Sequence, residues 1–241
     1  MQLLEWTSKK AGAFQIVGTL SLPFGLMYLD TRWLVASLLV FWLMSLMTTV
    51  ALHRLFVHNA FKCSKAWQWT LALLSCLSMT SSPLQWAVAH FTHHRYSDTD
   101  KDPHNTSMAK VFGVAYFTKA SYDFAQARRL IRDPMHMFIH KNYMLVHLVW
   151  VTLWWLIGGL DAVYFCWIFP TTIWMWAGVL HIRFSHRKGK PVNMHWLYGL
   201  LFLGDHIHRD HHKQPYHANY ATEPWQLDIG YQFIKLIRNA K

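Results

Sequence analysis

Between Trp33 and Leu52 lie 20 residues without a charge. At 1.5 Å of rise per residue such a run crosses a hydrocarbon core of about 30 Å. In lipid every backbone N–H and C=O needs an internal partner, so the run is read as a helix. Further apolar runs cover about 13–29, 143–160 and 162–180. Asp30, Thr31 and Arg32 form a turn between the first two, and Gly158–Gly159 lies where the last two meet. The chain is therefore expected to be a single domain over 1–241, all-α and integral to a membrane. Its four transmembrane helices form two hairpins, with a helical cap on one side.

The stretch 66–89 is long enough to span, yet it carries Gln68, Gln85 and Pro83. A full crossing there would put His90 across the bilayer from His53. We read it as re-entrant or interfacial, which polar content allows where protein surrounds it. The stretch 91–142 is polar and basic, as expected of membrane-surface structure.

The net charge is +11, which invites a nucleic-acid reading. Its placement argues against one. Of 23 Lys and Arg, Arg32 alone falls on the far side of this topology. The positive-inside rule then places the cap and both termini in the cytoplasm. Cys63, Cys76 and Cys166 are odd in number and lack C-x-x-C spacing, so neither a disulfide framework nor a thiolate metal site is expected. The amino end shows no cleavable-signal pattern.

Histidine carries the chemistry. It makes up 17 of 241 residues. The pattern H-x-x-H-H occurs at His90, His93 and His94, and again at His208, His211 and His212. Composition alone predicts it roughly 0.08 times. On a helix, positions i, i+3 and i+4 share a face, so the imidazoles converge as ligands for Fe, Zn, Cu or Ni. His53 and His58 end one apolar run, and His181 ends another. Asp98, Asp102, Asp205 and Asp210 flank the clusters. A carboxylate accepting the second N–H of a ligand histidine fixes its tautomer, the other reading being solvated loop acids.

With His53-x4-His58, the run from Trp86 to His104 including Ser97-Asp98 and Asp102-Pro103-His104, and the tail from Pro224 to Arg238, the chain resembles the integral-membrane fatty-acyl desaturases. The delta-9 acyl-CoA and acyl-lipid branch is the most similar. The resemblance implies two iron ions held by His53, His58, His90, His93, His94, His181, His208, His211 and His212, with O2 as co-substrate. It implies an acyl-lipid or acyl-CoA substrate, and Trp86 and Trp174 beside the bend of its tunnel. It matches no ligand role to His104, His186, His206 or His217, and His136, His140, His147 and His195 read as ordinary polar residues. The chain departs from the family pattern at Val88, Ala89, Phe91, Ala177 and Arg209. No flavin, nicotinamide or haem-binding segment is visible, so the electrons are expected from a separate ferredoxin or b-type cytochrome. Membrane hydroxylases share the histidine boxes, and a membrane metal or electron carrier is the non-enzyme alternative.

Overall fold

A computed structural model describes residues 2–104, 122 and 124–239. Part of the basic stretch expected over 91–142 thus lies outside the described residues. The architecture is helical, with one two-stranded antiparallel hairpin, β1 (His186–Arg187) and β2 (Lys190–Pro191).

The chain enters through α1 (Gln2–Tyr28) and turns at Asp30, whose side chain accepts from the Trp33 backbone N–H at 2.8 Å. That cap starts α2 (Thr31–Met47). Its axis continues as a π-helical stretch, Thr48–Val57. Among the described residues, three runs are long and apolar enough to cross a membrane, Lys9–Tyr28, Thr31–Val57 and Tyr143–Ser185. Leu20, Leu156 and Leu160 are 74%, 67% and 77% exposed on them. Such faces are stable where the surrounding solvent is lipid.

The 43-residue third run reverses inside itself. Gly158 has φ −161° and ψ 29°, and Gly159 has φ +65° and ψ −152°, neither helical. A positive φ suits glycine because there is no Cβ to clash. The limb after the break comes back along α7 (Tyr143–Val163), so His147 stacks on Trp167 at 5.6 Å. It continues through a π-helical turn into α8 (Phe169–Ser185).

The 66–89 stretch is two helices rather than one. α3 (Lys65–Ser75) stops in a 3₁₀ turn, and Met79 takes the left-handed conformation at φ 51°. The chain restarts as α4 (Pro83–Tyr96), capped by Ser82 with Pro83 in its first turn. That break returns His90 to within 4.5 Å of His53, ring to ring. The shorter helices are α5 (Arg128–Arg132), α6 (Pro134–Lys141), α9 (Gly199–Phe202), α10 (His208–Lys213) and α11 (Ile229–Ile237), of which the last two matter to the site.

Candidate metal centre

The histidines gather into two adjoining groups whose ligand atoms lie within 4.8 Å of one another in each. One contains His53, His58, His90, His94 and His211, and the other His93, His186, His208 and His212. Seven of these nine rings are buried, and His94 and His212 are half-buried.

Helical geometry dictates the sorting. On α4, His90 and His94 are one turn apart and serve the five-histidine group, while His93 points to the four-histidine group. On α10 the roles exchange: His208 and His212 serve the four-histidine group, and His211 crosses to the other. Each H-x-x-H-H helix thus lends its outer pair to one group and its middle ring to the other. His53 and His58, five apart, would splay on an α-helix. The π-helical widening makes the bond from His58 N–H to His53 C=O an i→i+5 bond of 3.1 Å, which places one ring above the other at 5.1 Å.

The nitrogen spacing fits metal ligation. His53 and His211 bring their Nε2 atoms to 2.9 Å, His211 and His94 to 2.9 Å, and His94 and His90 to 3.0 Å. In the other group, His186 and His208 approach to 2.7 Å, and His208 and His212 to 3.0 Å. Two imidazole nitrogens about 2.1 Å from one metal ion and at right angles to each other would be about 3.0 Å apart. His58 Nε2 and His93 Nε2 are buried without any hydrogen-bond partner, which a cation in the group would supply.

Three carboxylates set the tautomers. His53 Nδ1 donates to Asp205 at 3.0 Å, His93 Nδ1 to Asp102 at 2.9 Å, and His186 Nδ1 to Asp98 at 3.0 Å. A ring proton held on Nδ1 leaves the Nε2 lone pair for a metal. Burial pushes the Asp102 carboxyl upward, but the His93 hydrogen bond and charge outweigh it and bring the group down to about 2. Asp210 accepts instead from Asn193, Arg209 and Gln226, and so ties the α10 helix to neighbouring loops.

His181 lies outside both groups. Its ring packs on Phe202 at 4.5 Å, 5.3 Å from His208, and its Nδ1 is buried without a partner. His186, to which the family pattern gives no role, lies in the four-histidine group. Its signal in the sequence was indirect, the acid of the Ser97-Asp98 motif that accepts from its ring. Trp86 stacks on His90 at 4.7 Å and 10°, whereas Trp174 is buried further off, edge-on to Phe41 at 5.4 Å. Val88 and Phe91 are core residues, Ala177 packs at the core's margin, and Arg209 is exposed.

Burial, with the charges of neighbouring rings adding, drives His58 and His212 down to about 2 and His90, His208 and His211 well below the usual imidazole range. Neutral imidazole is the ligand form. The unfolded chain binds protons near pH 6.5 that the folded site refuses, so stability falls as pH drops below 6.5 toward the folded values. Metal-free protein is therefore expected to hold its thermal stability from pH 7.5 to about pH 6.5 and to lose it progressively from there to pH 5. A flat profile in detergent-solubilised protein would contradict these neutral, buried rings.

A buried all-histidine double cluster able to hold metal, at the ends of helices apolar enough to cross a membrane, is the class of site this chain carries. The fatty acid desaturase family model matches residues 31–227, and the chain belongs to that family. It is 26% identical to the sn-1 stearoyl-lipid 9-desaturase of Anabaena variabilis over 84% of this chain and 79% of that protein. It is 28% identical to the Delta-9 desaturase-like 2 protein of Arabidopsis thaliana over 96% and 83%. The chloroplastic palmitoyl-monogalactosyldiacylglycerol delta-7 desaturase of Arabidopsis thaliana is 24% identical over 97% and 68%.

Proposed function

We propose that this chain is an O2-dependent fatty-acyl desaturase placing a cis double bond, at delta-9, in a saturated acyl chain on a lipid or CoA. Each histidine group would hold one iron ion. The observation that carries this reading is the exchange of rings between the two H-x-x-H-H helices, which pairs two nitrogen-only sites side by side. The delta-9 position is supported by the names of the Anabaena variabilis relative and one Arabidopsis thaliana relative.

The net reaction converts –CH2–CH2–, O2, two electrons and two protons into –CH=CH– and two waters. Bound iron with O2 supplies the oxidising power that no side chain possesses. Asp205, Asp102 and Asp98 hold the protons of His53, His93 and His186 on the outer nitrogens. Those three hydrogen bonds keep the rings in register. Trp86, flat against His90, would wall the acyl path beside the five-histidine group, and Trp174, buried against Phe41, would line its bend. Rigid walls matter because misplacing the reacting carbon by about 1 Å can cost 10²-fold.

Four spans in two hairpins, with the site and both termini cytoplasmic, are supported by the reversal at Gly158–Gly159 and by the basic residues around the site. A ferredoxin or free b-type cytochrome would deliver the electrons. The test is expression in a host lacking unsaturated fatty acids, with donor supplied, followed by mass spectrometry of its lipids. Monounsaturated chains with the bond at carbon 9 are expected. An unchanged profile, or hydroxylated chains instead, would overturn the reading.

A further inference from the structure

The two groups are held by different means. In the four-histidine group, carboxylates fix both His93 and His186. In the five-histidine group, His53 alone has a carboxylate among the described residues; His211 Nδ1, like His208 Nδ1 in the other group, is buried without a hydrogen-bond partner. A ring without a hydrogen bond on its outer nitrogen keeps its orientation only through packing.

That packing comes from Tyr220. Its ring is 4.5 Å from His211 and 5.5 Å from His53, and the residue is 2% exposed. Behind it, the Arg54 guanidinium lies over the phenol at 3.9 Å. Arg54 is itself fully buried, donating to Asp228 at 2.9 Å and to the Ala218 carbonyl at 3.0 Å. Asp228 in turn accepts from the Tyr220 N–H at 2.9 Å and from the Tyr231 N–H that starts α11 at 2.9 Å. Two glycines make room for this assembly. A Cβ at Gly204 would strike Asp228 and Arg54, and one at Gly230 would meet Thr49 at 2.9 Å.

We propose that Arg54 is a positioning residue for the five-histidine group alone, pressing Tyr220 as a rigid plate against His211 and His53. Its planarity is what the role needs. A lysine would keep the charge beside Asp228 but not the flat stack on the phenol. The proposal rests on the reading that each group holds one metal ion.

The experiment uses full-length protein in detergent, loaded anaerobically with Fe(II), with iron per chain measured by mass spectrometry. Wild type and Tyr220→Phe are expected to hold two ions. Arg54→Lys and Tyr220→Leu are expected to bind one ion about 10–100-fold more weakly, the range seen when the supports of metal-ligating residues are removed. The ion they retain should be lost when His186→Ala is added. Variants that keep both ions at wild-type affinity, or lose both together, would overturn the positioning role while leaving the two-ion reading in place. A wild type that holds fewer than two ions would instead sink that reading, and this proposal with it.

Discussion

Alanine at His186 is expected to abolish desaturation, while alanine at His181 leaves activity within about tenfold of wild type. His186 is 4% exposed, brings Nε2 to 2.7 Å from His208 and is locked from behind by Asp98. Its removal takes one of four ligands from its group. His181 lies beside that group, against Phe202. Its loss removes packing against Phe202, a cost offset in part by deleting a buried nitrogen that has no partner. Product formation by both variants, in membranes holding equal protein, decides the matter. Full activity in His186→Ala, or none in His181→Ala, would return the ligand to the position the family pattern assigns.

The second large effect concerns stability. Replacing Asp228 by alanine is expected to cost about 3–5 kcal/mol, because it strands a fully buried Arg54 cation. The Tyr220 and Tyr231 N–H groups also lose their acceptor, and with it goes the N-cap of α11. Asp228→Asn should cost less, since its one amide oxygen can still accept from Arg54 and the Tyr231 N–H, while the Tyr220 N–H, bonded to the other carboxylate oxygen, loses its acceptor. The thermal midpoint in detergent measures this. A drop of under one or two degrees for Asp228→Ala would show that the pair contributes nothing to the fold.

The histidine boxes were legible in the chain because helical spacing alone brings i, i+3 and i+4 together. The division of each box between two groups was not, since it depends on how α4 and α10 face each other. The spacing of His53 and His58 held a clue that an α-helix would fail there, and the π-helical stretch supplies the reason. His186 was given no ligand role for a topological cause. The apolar run ends near Leu180, but α8 continues to Ser185 and the β-hairpin then carries His186 into the site. Its partner Asp98 is 88 residues away. Asp210 looked like its fellow acids in sequence, yet it bonds to Asn193 and Gln226, contacts set by loop packing. The break at Met79 was foreshadowed only by the polar residues and Pro83 of that stretch.

Arg54 shows the same limit at a different scale. A lone arginine after His53 reads as part of a basic membrane edge, as its neighbours do. Its burial is determined by Asp228, 174 residues further on, and by two glycines that leave space for both. Long-range pairing of this kind has no local period to betray it.

Anomalous X-ray scattering at the iron edge, from crystals of the iron-loaded full-length protein, tests the arrangement most directly. Two peaks are expected. One should sit among His53, His58, His90, His94 and His211, and the other among His93, His186, His208 and His212. A single peak, or a second peak ligated away from these nine rings, would contradict the paired site on which the oxidative chemistry depends.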